Sequence, residues 1–554
     1  MTTENRSPNL PTTAPTRSTN ALDDVKTTTS SSATAPPTAP PKTPPNATGT
    51  TNAKPALLEQ QAAEPHTCVV GEPQASTTQT TRGRPATVDV RDPIAAHRAQ
   101  LKADLKVAMS TLSTLPPALT FFGGARIKSS DPYYAISMEI GRLLAERGVP
   151  PRTGAGPGIM QSVPEGYVQH RAVLEASGTK VAPSAQLRQI DGLGDTASLD
   201  DVRTQGFNIK LPHEQKLNPV IEVAREIQLF PFRKLALYEN ARGVVTFPGG
   251  FGTLDELFEI WTLAASDRLS DPLAAVGVDF WKPTLKALKD VAVDARPLIA
   301  PHDFERLFVT DDATALLDHM LTSSSAPKGF EQPAAALEKT LLKEVDVAAR
   351  GMKTLRPAVA FLGGETLRHD DTTLAIAAAV ASAVAAGGAA VRVGDGGVGS
   401  QAVVDAARAA GAGGNDVQQI AWTASTVPAA PSSTPSKPST STKNAKQEPP
   451  STTTFSERIP HKELLLRSAE AYVVLPSGLK GLDEFATVLC QMQTGKLPKR
   501  PLVLVGSDYW QPILDAFKQT MLTPERMLIA PEDLQLVTVV DSAEAATAAL
   551  TNLR

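Results

Sequence analysis

The sequence predicts an α/β protein built from two doubly wound parallel-sheet domains in tandem, with a long tail and a long internal loop. Three observations carry this prediction. Short apolar runs alternate with helix-period segments and are joined by glycine turns. A set of motifs recurs once, in the same order and at nearly constant spacing. Two stretches have a composition that cannot build a core.

Those two stretches frame the rest. Residues 1–86 are rich in Thr, Ser, Pro and Ala, with few large apolar groups. So little apolar surface cannot offset the entropy of ordering, and a disordered tail is expected. Residues 425–454 have the same character and interrupt a foldable region, so they read as a disordered insert looping from the surface. The full chain of 554 residues carries a net charge of −4, which gives no basic footprint for nucleic acid. No apolar run is long enough to span a bilayer. The opening MTTENRSPNL has neither the apolar run of a secretory signal nor an Arg-rich amphipathic pattern. The two cysteines, Cys68 and Cys490, cannot form a disulfide framework or a Cys-based zinc site. A reduced, cytoplasmic protein with no nucleic-acid or membrane partner is expected.

The elements follow in order. Ala118–Phe122 reads as a buried strand ending at Gly123-Gly124. Residues 132–147 read as a helix with Ile136, Ile140, Leu143 and Leu144 on one face. A second glycine turn, Gly154-Ala155-Gly156-Pro157-Gly158, follows the next strand. Gly243–Phe247 is a further strand, which feeds the loop PGGFGTLDE (Pro248–Glu256) and a helix from about Thr253. Pro272–Gly277 is another strand. The chain then repeats itself. Thr114–Gly124 matches Thr354–Gly364 at an offset of 240, and Val245–Pro248 matches Val473–Pro476 at 228. Asp279–Pro283 matches Asp508–Pro512 at 229, and Leu298–Pro301 matches Leu528–Pro531 at 230. Ordered matches with stepwise offsets indicate two copies of one domain, placed at 87–330 and 331–554. The period is too long for a solenoid.

The loop at Pro248 suits a phosphate. Gly249, Gly250 and Gly252 carry no side chain, so backbone N–H groups can approach an anion closely. The following helix adds its unpaired N–H groups and the positive end of its dipole, and Thr253 adds a hydroxyl. The pattern is neither a Walker loop nor the dinucleotide GxGxxG fingerprint. A lone turn of this kind also suits a chain with no ligand. Gly124, Gly154 and Gly156, at the tips of other strands, are expected to line the same crevice, where open α/β sheets bind nucleotides. Glu256 lies one turn into the helix, and Arg233-Lys234 lies just ahead of the strand that feeds the loop. No HExxH motif or Asp-rich ligand cluster appears, so neither a metal nor a cofactor is expected.

PGGFGTLDE, with Arg233-Lys234 upstream and TGAGPGIM (Thr153–Met160) before both, resembles the Lonely Guy (LOG) family. Its members, long labelled lysine decarboxylases, are nucleoside 5′-monophosphate phosphoribohydrolases, including cytokinin-activating enzymes. The segment GFNIKLPHEQ (Gly206–Gln215) resembles the longer bacterial-type members. The resemblance is close over about 114–325 and weak over about 354–550. It implies Rossmann-like domains and hydrolysis of an N-glycosidic bond, AMP-like or cytokinin riboside monophosphates being the substrates. It implies Arg233 and Glu256 as the catalytic pair. Lys234 and Gly249, Gly250, Phe251, Gly252 and Thr253 would bind substrate around the 5′-phosphate. Thr262 and Glu214 match further substrate-contact positions. Two residues depart from the family pattern: Ala155, where a positive φ would be disfavoured, and Gln161, which loses a charge. A carrier or sensor that binds nucleotide without hydrolysis is the alternative. A pyridoxal-phosphate decarboxylase finds no Schiff-base lysine context.

The second copy reads Pro476-Ser477-Gly478-Leu479-Lys480-Gly481-Leu482-Asp483-Glu484. Glu484 is kept and Lys462 stands opposite Lys234, but Gly252 becomes Lys480, Thr253 becomes Gly481 and Arg233 becomes His461. This predicts a degenerate, non-catalytic copy, with a regulatory anion site at Lys480 and His461 as the alternative. Because LOG-like proteins form dimers with sites near the subunit interface, the resemblance implies that the copies pack as an intramolecular pseudo-dimer. Further homo-oligomerisation is left open.

Overall fold

The computed structural model describes residues 92–179, 203–211, 217–322, 334–394, 396–423 and 451–550. All of them lie in one compact unit. The tail read over 1–86, most of the insert read over 425–454, and Glu214 lie outside the described residues.

The first half contributes β1 (Ala118–Phe122), β2 (Pro151–Thr153), β3 (Gln205–Ile209), β4 (Val223–Ile227), β5 (Ala241–Thr246), β6 (Leu273–Ala275) and β7 (Leu307–Val309). The second contributes β8 (Ala358–Leu362), β9 (Ala390–Val393), β10 (Val417–Trp422), β11 (Ser451–Phe455), β12 (Ala469–Val474), β13 (Leu502–Val505) and β14 (Thr538–Val540). They form two seven-stranded sheets, ordered β4-β3-β2-β1-β5-β6-β7 and β11-β10-β9-β8-β12-β13-β14. Every pairing among the described residues is parallel. The two predicted α/β sheets are therefore present. Central strands such as β1 and β8 are buried at every position, because helices cover both faces. The chain reverses its direction of sheet growth between β1 and β5, which opens a crevice at the carboxyl ends of those strands.

Three local readings need correction. Ser451–Phe455 begins inside the stretch read as insert, yet it pairs in register along β10, from Gln418↔Ser451 to Trp422↔Phe455. It is an edge strand with alternating exposure, and β-branched threonines suit such a half-buried pleat despite their polarity. The helix after the glycine loop starts at Phe251 rather than Thr253, with Gly250 as its N-cap. Ala155 does adopt a left-handed conformation, at φ 56°. Its carbonyl accepts from the Asn218 N–H at 3.0 Å and its own N–H donates to Thr153 Oγ1 at 3.1 Å. These bonds hold a conformation that costs an alanine about 1–2 kcal/mol.

The two halves meet through equivalent surfaces. Helix Phe251–Ala265 packs on its counterpart Leu479–Gln493, Val278–Leu288 on Ser507–Met521, and Pro93–Leu112 on Ala334–Thr354. Polar contacts are reciprocal as well. Arg526 Nε lies 2.7 Å from Asp131 Oδ2, and its counterpart Arg296 Nε lies 3.0 Å from Asp371 Oδ2. Both aspartates also cap the helix that follows them. Contacts in which i meets j′ while i′ meets j are the mark of an isologous, two-fold-like interface.

Candidate active site

The glycine loop sits at the switch point between β1 and β5. Its glycines have different reasons to be there. A Cβ on Gly249 would collide with the Thr253 side chain, and one on Gly250 would come within 2.7 Å of the Leu528 carbonyl of the other half. Packing alone therefore demands these two. A Cβ on Gly252 would meet only Cys490 Sγ, at 3.9 Å. Nothing in the fold forbids a side chain there, so the open space is available to an occupant.

That space belongs to a cleft of about 680 Å³, within the range of small-molecule sites. Gly124, Gly250, Phe251, Gly252, Thr253, Arg233 and Glu256 all line it. Arg233 and Glu256 face each other, Nη1 to Oε1, at 2.7 Å. Arg233 is 6 % and Glu256 8 % exposed, so each charge needs the other. Arg233 Nε also donates to the Phe207 carbonyl at 3.1 Å, which fixes the plane of the guanidinium. Burial pushes the Glu256 carboxyl up, and the Arg233 charge pulls it back only in part.

Other expected residues stand elsewhere. Gly154 does not line the cleft; it acts from behind, since any Cβ there would strike the Arg233 guanidinium. Gly156 is buried but also off the cleft. Gly249 supports the loop from its inner side. Lys234 turns away from the cleft into the seam between the halves, with Nζ 2.8 Å from Asp255 Oδ1 and 2.5 Å from Glu259 Oε2. The reason is helical geometry: adjacent residues 233 and 234 point about 100° apart, and only the first faces the loop. Thr262 is buried and does not line the cleft. Its counterpart in the repeat, Cys490, does, because the two-fold-like arrangement sends this helix position across the seam.

Several lining residues were not anticipated. Arg126, from the loop after β1, brings a second cation, its Nη1 donating to the Met527 carbonyl at 3.0 Å. The repeat held a signal for it, since the matching position is Thr366. Ile209, Leu211 and Phe230 form an apolar wall. The second half adds Cys490, Gln493, Thr494 and Asp533, which no reading of the first motif set could place.

The second half has closed the equivalent space. Lys480 Nζ lies 3.2 Å from Glu365 Oε1. His461, at the place of Arg233, makes the equivalent backbone contact, 3.1 Å from the Ile420 carbonyl of β10, where Arg233 meets Phe207 of β3. Glu484 is met instead by Arg458, at 3.2 Å and from one turn earlier in the helix. At the seam, oxygens of Asp255, Glu259 and Asp483 lie within 4.8 Å of one another, a spacing that could suit a metal ion. The ammonium groups of Lys234 and Lys462 already stand among them, each within 2.9 Å of two of these carboxylates. The lysines supply the positive charge the cluster needs. Among the described residues no helix is long and apolar enough to cross a membrane.

Comparison with known proteins agrees with the repeat. None of the curated proteins compared matches the chain. Among solved structures, the molybdenum cofactor binding protein of Rippkaea orientalis is 14 % identical, with a TM-score of 0.25, over 37 % of this chain and 96 % of its own. A structural-genomics target, TM1055, is 18 % identical, with a TM-score of 0.23, over 36 % of this chain and 97 % of its own. The family model described as "Possible lysine decarboxylase" matches residues 194–320 and again 409–550, one segment in each half. Each half of the chain thus carries one segment similar to that family, the LOG family, and one seven-stranded parallel sheet.

Proposed function

We propose that the first half hydrolyses the N-glycosidic bond of a nucleoside 5′-monophosphate, releasing the free base and ribose 5-phosphate. The observation that carries this reading is the buried Arg233–Glu256 pair, 2.7 Å apart, on the wall of a cleft that begins at a helix N-terminus. The first-turn N–H of Gly252, the Thr253 hydroxyl and Arg126 suit the 5′-phosphate. Ile209, Leu211 and Phe230 suit the flat face of a base. Between these ends lies Glu256. Cleavage breaks the C1′–N bond, with its electron pair leaving on the base. The oxygen of water bonds to C1′ and keeps one hydrogen as the new hydroxyl, and the single proton it loses goes to the departing nitrogen of the base. The ribose ring is cation-like on the way, by analogy with other glycoside hydrolyses. The Glu256 carboxylate stabilises that charge and holds the ribose hydroxyls, while Arg233 fixes the carboxylate in place. Residues 87–330 form the catalytic domain and 331–554 a non-catalytic partner domain, the two acting as an intramolecular pseudo-dimer.

The test is direct. The full chain is incubated with AMP, GMP, IMP, CMP, UMP and a cytokinin riboside monophosphate, and free base is measured. Release from at least one is expected, and Glu256→Gln should lower it by about a thousandfold while keeping nucleotide affinity. Tight binding with no base released from any would make the protein a nucleotide carrier instead.

A further inference from the structure

The seam behind the active pair is a buried ionic chain with one asymmetric member. Lys234 Nζ contacts Asp255 Oδ1 and Glu259 Oε2. Lys462 Nζ, its counterpart in the second half, contacts Asp483 Oδ1 at 2.9 Å. The aspartate contact repeats, and Thr487 Oγ1 stands 3.2 Å from Lys462 where Glu259 meets Lys234. The next does not: Lys462 Nζ also reaches across to Glu259 Oε2, at 2.6 Å. Glu259 thus takes both ammonium groups on one oxygen. Its counterpart in the repeat is Thr487, whose hydroxyl donates to Asp255 Oδ1 at 2.6 Å. Two first halves facing each other would bring two glutamates together here, and two second halves would bring two threonines. A single glutamate shared by both lysines needs unlike halves.

The chain ends beside the chemistry. Lys234 follows Arg233, and Asp255 precedes Glu256. Asp255 and Glu259 lie on one face of the helix that carries Glu256, four residues apart. The second half therefore holds Asp255 directly, through Thr487, and reaches Lys234 through the Glu259 it shares with Lys462. Burial alone would raise the Glu259 carboxyl, but Lys234 and Lys462 together hold it below the usual range. Asp483 is likewise held down against burial, by Lys462 and Arg458.

Building on the hydrolase reading, we propose that Lys462 of the second half is a positioning residue for the Arg233–Glu256 pair, acting through Glu259 and Lys234. Without its ammonium, Lys234 must neutralise Glu259 alone and is drawn from Asp255. Asp255 then bears more uncompensated charge beside Glu256, and the Arg233–Glu256 geometry loosens. The charged groups concerned are Arg233, Lys234, Asp255, Glu256 and Glu259 from the first half and Arg458, Lys462 and Asp483 from the second.

The experiment compares the full chain with Lys462→Gln, Lys462→Arg, and the charge-balanced Glu259→Gln/Lys462→Gln, by kcat, KM, melting temperature and pH–rate profile. Lys462→Gln should lower kcat about ten- to hundredfold with KM nearly unchanged, and move the acid limb of the profile to higher pH. Lys462→Arg should recover much of the loss. The double variant should regain melting temperature, since a neutral pair replaces a broken buried one, but not kcat. If its kcat returns together with its stability, or if Lys462→Gln changes stability alone, Lys462 is structural and the proposal falls. Should the unaltered chain bind AMP without releasing adenine, the hydrolase reading fails by itself. The brace is then judged on the pH dependence of AMP affinity, which Lys462→Gln should shift upward and Lys462→Arg should not. An unshifted curve overturns it.

Discussion

Lys480 holds its ammonium 3.2 Å from the carboxylate of Glu365. The matching positions in the first half are Gly252 and Ala125, and both line the open cleft. One ion pair thus spans in the second half the space that is left empty in the first. A single nucleotide should therefore bind per chain. Titration calorimetry with AMP checks this, and a stoichiometry of two would contradict the closed second half.

Gly250 and Gly252 should respond oppositely to substitution. Gly250→Ala presses a methyl against the Leu528 backbone, so it should destabilise the protein by about 1–3 kcal/mol. Gly252→Leu enters open space in the first turn of a helix, where leucine is the better helix former. Its melting temperature should hold or rise while AMP affinity falls about a hundredfold, through lost contacts to a charged group. Chemical denaturation and calorimetry on both variants give the comparison.

Glu239 should shape the stability of the protein near neutral pH. It lines a cavity of about 100 Å³ at the seam, together with Tyr238, Arg268, Trp422 and Glu457. Burial, then the charges of Glu457 and Asp271, push its carboxyl from the ordinary 4.5 up to about 7. The native state keeps this proton to a higher pH than the unfolded chain does. Stability should therefore decline as pH rises from about 4.5 to about 7 and then level off. Glu239→Gln should flatten that decline and stabilise the protein at pH 8 by about 2 kcal/mol, allowing for partial access of water. Melting curves between pH 5 and pH 8 (roughly the window in which such groups titrate) measure it.

Much of the fold could be read because parallel strands buried on both faces leave continuous apolar runs, as at Ala118–Phe122 and Ala358–Leu362. Ser451–Phe455 could not, since an edge strand needs no such run. Arg233, Glu256 and the loop glycines were legible because they sit at fixed distances along one helix–strand–turn–helix segment. The direction of Lys234 and the displacement of Thr262 by Cys490 depend on which helix faces which across the seam. Contacts between residues more than two hundred positions apart, such as Lys462 with Glu259, leave no local pattern.

In a dimer of identical chains, any substitution at the interface appears on both sides at once. Here the reciprocal contacts are written twice in one polypeptide, so each side can change alone. Glu259 can face Lys462 without a second glutamate opposite, and Arg458 can take over a partner that Arg233 holds in the other half. The covalent join turns a symmetric interface into two independently mutable surfaces, one free to specialise in chemistry and the other in support.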